Sequence, residues 1–233
     1  MLVVSNINSF YGAAHILHDV SLAINQGETV ALLGRNGAGK STLIKSIIGI
    51  VPPRSGKISF KGQEISGLDP FAIARRGIGF VPEDRRIFVS LTVEENLEVG
   101  RKAAPKGRES WTLEKLYSIF PNLAEMRRRQ AAFMSGGEQQ MLTIARTLMG
   151  NPSFILLDEP SEGLAPKIVE QVAEAVTRVT ASGVTVLLSE QNMYFAGLVS
   201  GRACVIEKGQ IKFSGPMDEL RSNDDIRRSY LAV

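Results

Sequence analysis

An α/β fold with a helical insertion is what this sequence predicts, on three observations. Short β-branched apolar runs alternate with segments of helical period. A glycine-rich stretch at residues 34–39 joins one apolar run directly to a helical pattern. Residues 68–129 break the alternation, reading as charged and helical with few strand signals.

Strands are expected at residues 28–33, 57–60, 78–81, 154–157, 184–189 and 203–207. Lys208-Gly209 then signals a hairpin into residues 210–213. One helix starts after Gly39 and stops at Gly49, with Pro52-Pro53 beyond it. Another starts at Pro166 and carries Ile168, Val169, Val172, Ala175, Val176 and Val179 along one face; Gly183 ends it. Within the insertion, Trp111 to Tyr117 reads as helix and Ala103-Ala104-Pro105-Lys106-Gly107 as a mobile loop. There are no internal repeats.

Composition excludes several classes. The 233 residues are 44% hydrophobic and 22% charged, ordinary for a globular chain with a buried core. Lys plus Arg is 27 and Asp plus Glu is 24, so a net charge of +3 is weak evidence for nucleic acid, and no nucleic-acid partner is expected. The sharpest basic run, Arg127-Arg128-Arg129, reads as a solvated helix end. The single cysteine, Cys204, lies in an apolar run and is expected in the core. It permits neither an internal disulfide nor a zinc spacing. The first residues lack a basic stretch followed by an apolar one, so no signal peptide is expected. No apolar run approaches the ~18 residues of a membrane span.

Gly34-Arg35-Asn36-Gly37-Ala38-Gly39-Lys40-Ser41-Thr42 matches the P-loop pattern in full, between an expected strand and helix. Its glycines let successive N–H groups turn toward one phosphate chain, and the helix N-terminus adds partial positive charge. Lys40 supplies a full charge to β- and γ-phosphates, and the Ser41 hydroxyl is suited to Mg²⁺. A second signal closes the run at 154–157: Asp158-Glu159 at the end of a strand expected to be buried on both faces. Asp158 would hold Mg²⁺, directly or through water. Glu159 would act as general base toward the attacking water. Strand alternation is expected to send the two carboxylates to opposite sides.

Ser135 with Glu138 forms a capping-box pattern opening a helix at residues 139–149. Gly136 and Gly137 offer exposed N–H donors at its start. Met134-Ser135-Gly136-Gly137-Glu138-Gln139-Gln140 resembles the signature motif of ATP-binding-cassette (ABC) ATPases, with Met134 in place of the usual leucine. The order of P-loop, signature and acidic strand end matches too, over essentially the whole chain.

That resemblance implies a P-loop NTPase core with a mostly parallel sheet, an N-terminal antiparallel β portion and an inserted α-helical subdomain. Residues 1–82 and 150–233 would form the α/β core, and residues 83–149 the helical part with the signature, in one domain. It implies ATP and Mg²⁺ as cofactors and a dimer in which each signature closes on the other subunit's nucleotide. It also places an adenine-stacking aromatic at Tyr11.

Besides Met134, three positions depart from the family's common pattern. Glu83, in Phe80-Val81-Pro82-Glu83, stands where a glutamine usually serves Mg²⁺ and the attacking water. Gln191 stands where a switch histidine is usual; His15 and His18, the chain's two histidines, both precede the P-loop. Ala165 stands at a frequent aspartate. Val-Pro-Glu, Gly-Leu-Ala-Pro and Glu-Gln-Asn are similar to the ATP-binding subunits of branched-chain (hydrophobic) amino-acid importers. This subgroup implies a second ATP-binding subunit, two transmembrane permeases and, indirectly, an extracytoplasmic solute-binding protein. It implies a peripheral position on the cytoplasmic face of the cell (inner) membrane. A permease-binding groove is expected near residues 83–95, with Ile87, Phe88, Val89 and Leu91 as candidates. The rivals are a soluble ABC ATPase of nucleic-acid or ribosome metabolism and a small-molecule kinase; the second leaves the signature unexplained.

Overall fold

The computed structural model describes residues 1–107 and 109–231. Its strands are β1 (Leu2–Tyr11), β2 (Ala14–Ile24), β3 (Thr29–Leu33), β4 (Ser55–Phe60), β5 (Gln63–Glu64), β6 (Ile78–Val81), β7 (Phe154–Asp158), β8 (Thr185–Glu190), β9 (Arg202–Glu207) and β10 (Gln210–Pro216). They form two sheets. The antiparallel one has the order β2-β1-β4-β5, and the other has the order β10-β9-β3-β8-β7-β6. In the second sheet every pairing is parallel except that of β9 with β10.

Period-two alternation divides two cores across this sheet. Val30, Leu32, Phe154, Leu156, Leu187, Cys204 and Ile206 face one side. There they meet the antiparallel sheet and α1 (Lys40–Ile47), through Leu43, Ile44 and Ile47. Ala31, Leu33, Ile155, Leu157, Val186, Leu188 and Val205 face the other. Residues buried on both faces read as continuous apolar runs, which is why β3 and β7 were visible in the sequence.

After α2 (Pro70–Arg75), the chain between β6 and β7 holds α3 (Val93–Gly100), α4 (Leu113–Ile119), α5 (Pro121–Glu125) and α6 (Gly136–Leu148). Val93, Leu97, Leu116, Leu123, Met141 and Leu142 join these helices to the second core. Trp111, 4% exposed, anchors the start of α4, its main-chain N–H donating to Asn151 Oδ1 at 2.8 Å. Residues 103–107 adopt neither helix nor strand.

Beyond β7 lie α7 (Pro166–Ala181), α8 (Met193–Val199), α9 (Met217–Ser222) and α10 (Asp224–Ile226). The expected apolar face of α7 is buried except for half-buried Ile168, which packs under α6. Cys204 is 1% exposed, in the core as expected. The signature helix begins at Gly136 rather than Gln139. Ser135 is its N-cap, so the first turn includes both glycines.

Candidate functional site

Gly39, at φ 110°, turns the phosphate loop into α1 at the C-terminal edge of β3. Lys40 is 4% exposed, and its three ammonium donors all have partners. Nζ lies 2.8 Å from Gly34 O, 3.1 Å from Arg35 O and 3.0 Å from Glu159 Oε1. The Ser41 hydroxyl donates to Asp158 Oδ1 at 3.0 Å, and the Ser189 hydroxyl donates to the same oxygen at 2.6 Å. Asp158 is 2% exposed and is held there by hydroxyls.

The expected divergence of Asp158 and Glu159 does not occur. β7 ends at Asp158, and Glu159 is left-handed at φ 48°, a conformation non-glycine residues adopt rarely. This turns the second carboxylate back, so the two acids meet consecutive loop residues: Asp158 meets Ser41 and Glu159 meets Lys40. The Glu159 N–H donates to Ser189 O and Oγ, both at 3.1 Å, which fixes the turn. Gln191 Nε2 donates to Glu159 Oε2 at 2.9 Å. Burial pushes the Glu159 carboxyl up, but hydrogen bonds from Glu162, Gln191 and Lys40 outweigh it and hold the group below its ordinary value.

Three contributors went unassigned in the sequence. Ser189 reaches Asp158 because β8 lies beside β7 in a register that pairs the two residues. Glu162 shares a hydrogen bond with Glu159. That bond, burial and the charges of Glu159, Glu83 and Glu190 push it up to about 7. Glu190, 2% exposed, accepts the N–H groups of Ser161, Gln191 and Asn192, tying the segment after Glu159 to the segment holding Gln191. Its position at the end of β8 was a signal. Its partners were not, since Ser161 is distant in sequence.

Glu83 and Tyr11 share one cavity of about 610 Å³ with Lys45, Pro82 and Asp158. Tyr11 is 48% exposed and also lines a smaller cavity with Gly37, Gly39, Lys40 and Thr42. The signature residues stand apart. Glu138 Oε2 accepts the Ser135 N–H at 2.6 Å, and Ser135 Oγ accepts the Glu138 N–H at 3.4 Å, completing the capping box. Gly136 lies against the Arg85 guanidinium and Gly137 against Ile168. Among the described residues, no hydrogen bond or ion pair joins Ser135 to Glu138 with the phosphate loop.

Residues 17–162 match the ABC transporter family, and the chain belongs to it. It is 44% identical over 231 residues to the high-affinity branched-chain amino acid transport ATP-binding protein BraG of Pseudomonas aeruginosa, covering 99% of each chain. Against the probable branched-chain amino acid transport ATP-binding protein LivF of Archaeoglobus fulgidus it is 33% identical, over 100% of this chain and 99% of that one. The lipopolysaccharide export system ATP-binding protein LptB of Escherichia coli is 35% identical, over 99% and 96%. Among solved structures, an ATP-binding cassette of an ABC transporter in its ADP conformation superposes with a TM-score of 0.83 at 28% identity, covering 98% and 97%. A dimeric cassette in a post-hydrolysis state with ADP and Pi superposes at 0.76 and 25% identity, covering 93% and 99%. The fold is that of the ABC ATPase cassettes.

Proposed function

We propose that this chain is the ATP-hydrolysing subunit of an importer for branched-chain amino acids or related small solutes. The observation that carries the solute class is the 44% identity to BraG over nearly the full length of both chains. The export relative matches at lower identity.

Each site residue has a distinct role. Gly34, Arg35, Asn36, Gly37, Ala38, Gly39 and Thr42 wrap the phosphates, and Lys40 shifts its charge from Glu159 to the β- and γ-phosphates. That exchange frees Glu159, ionised at neutral pH, to accept a proton from water. Gln191 holds the other Glu159 oxygen in place and has an amide N–H to offer a phosphate oxygen. Tyr11 stacks on the base. Ser135, Gly136, Gly137 and Glu138 present the N-terminus of α6 to the nucleotide of a second cassette.

Mg²⁺ suits the donor set. Ser41 and Asp158 place a hydroxyl and a carboxylate together, both hard oxygen donors, and Glu83 shares a cavity with Asp158. Among the described residues there is no cluster of three or more acidic, His or Cys side chains placed for a metal. That is in keeping with an ion that takes one or two carboxylates and completes its shell with water and phosphate oxygens. When bound, the ion neutralises charge on the phosphates.

No helix among the described residues is long and apolar enough to cross a membrane, so a membrane role runs through partners. A groove of about 520 Å³ between α2, α3 and α6 suits a permease helix; of the four residues expected there only Phe88 lines it, beside exposed Phe71 and Val99, and Ile87 packs against the core instead. The chain then sits on the cytoplasmic face of the cell membrane, with a second ATP-binding subunit, two permeases and, across the membrane, a solute-binding protein. The test is uptake of radiolabelled leucine, isoleucine and valine by cells lacking this chain. The wild-type chain is expected to restore uptake. Glu159→Gln is expected to bind ATP but to hydrolyse it about 100-fold slower or worse, and not to restore uptake. Unimpaired turnover by that variant contradicts the general-base role. Wild-type complementation without amino-acid uptake contradicts the solute class.

A further inference from the structure

The turn between β9 and β10 touches two parts of the nucleotide site that belong to different sheets. The phosphate loop leaves β3 of the six-stranded sheet, and Tyr11 ends β1 of the four-stranded one. Lys208 and Gly209, at φ 45° and 73°, form the two-residue turn. The Gly209 N–H donates to Ala38 O of the phosphate loop at 2.9 Å. Its carbonyl accepts the His18 N–H at 2.9 Å, on the outer edge of β2, the end strand of its sheet. One peptide segment thus bonds both to the phosphate loop and to the hairpin that carries Tyr11.

The approach leaves no room for a side chain. A Cβ on residue 209 would lie 1.8 Å from Ile16 O and 2.9 Å from His18 Cδ2, and real contacts begin near 3.0 Å. On the loop side, a Cβ on Gly39 would lie 3.5 Å from Gly209 Cα. Ile16 itself lines the cavity of about 230 Å³ that Tyr11 shares with Lys40 and Ser41. Any displacement at Gly209 therefore moves a wall of that cavity relative to the phosphate donors.

We infer that Gly209 is a positioning residue for the nucleotide. Its two main-chain hydrogen bonds set the distance between the Tyr11 face and the phosphate loop, so that base and phosphates of one molecule are held together. The inference rests on the reading that Tyr11 stacks on the base. A nucleotide bound at both ends gains only when the ends are in register, and shifts of about 1 Å are costly in such arrangements.

The test compares dissociation constants of the full chain for ATP and for inorganic triphosphate, each with magnesium. Tyr11→Ala tests the stacking alone. It should weaken ATP about tenfold while triphosphate stays within about threefold, the former being the size of a stacking contact. Gly209→Ala should do the same, and combining it with Tyr11→Ala should add no more than about twofold, since the base contact is already lost. His18→Pro removes one donor at a sheet edge, where proline is tolerated, and should reproduce the selective loss. It carries the test if Gly209→Ala does not fold. Gly62→Ala, with φ 76° and nothing within 4 Å of its Cβ, controls for turn strain and should leave both affinities at wild type. The inference is overturned if Gly209→Ala and His18→Pro bind ATP as wild type does, or weaken ATP and triphosphate by the same factor. If Tyr11→Ala binds ATP like wild type, the stacking fails and the inference falls with it.

Discussion

At the scale of the residue, the site depends on how four carboxylates share one small region. Asp158 faces hydroxyls, Glu159 faces Lys40 and Gln191, Glu190 is spent on backbone N–H groups, and Glu162 is left beside Glu159. Two ionised carboxylates in contact repel, so one keeps its proton. Glu162 is that one, raised from 4.5 to about 7. A raised acid favours the folded state while protonated. That contribution is fully present below about 4.5 and is lost as the pH rises through about 7. The nucleotide-free chain should therefore lose melting temperature over this interval, and Glu162→Gln should flatten the loss. An equally steep profile in both chains would contradict the shared proton. Lys40, Ser41, Asp158 and Glu159 were legible because each lies in a contiguous motif whose spacing carries the chemistry. The roles of Ser189 and Glu162 were not, because they arise from the β7–β8 register and from the left-handed turn at Glu159. A left-handed glutamate has no signature in sequence, and it is what reversed the expected divergence of the two acids.

At the scale of the element, the same contrast holds. β3, β7 and α7 announced themselves through continuous apolar runs and through proline and glycine punctuation. Individual strands in the first 24 residues could not be drawn from the residues alone. β1 shifts register three times against β2, and Asn6 and Asp19 are left-handed, so polar and apolar positions lose their alternation. The signature helix kept its capping box, and hence its start was legible to within one turn. The N-terminus of α7 is weaker. Ala165 sits at the N-cap with extended backbone and no side-chain bond to the helix. Ala165→Asp should supply the missing acceptor, adding about 1 kcal/mol and about 2–4 °C to the melting temperature. A thermal melt checks this, and an unchanged midpoint would mean that those N–H groups are already satisfied.

At the scale of the whole molecule, the chain offers one phosphate loop and one signature, and the two do not bond to each other. One cassette of the family is dimeric with ADP and Pi bound, and we propose that a second cassette completes each site here. We propose that residues 83–149 act as the part of the cassette that carries the signature toward that partner, pivoting against a core of residues 1–82 and 150–233. The groove at Phe88 runs between that part and α2 of the core, with Phe71 on the core side. Arg146 of α6 stacks on the Phe88 ring at 5.0 Å and donates to Arg86 O at 2.6 Å, so a helix docked there bears on the signature helix. Phe88→Ala should therefore release the permeases from the solubilised complex while leaving the melting curve of the isolated chain unchanged. Full retention of the permeases would remove Phe88 from the interface.

The most direct test of the central claim is affinity capture of this chain from solubilised native membranes, with mass spectrometry of the proteins that co-purify. Two multi-span permeases and a second, different cassette are the predicted companions. Recovery of soluble proteins or nucleic acid alone would contradict the importer and return the chain to the soluble ABC ATPases.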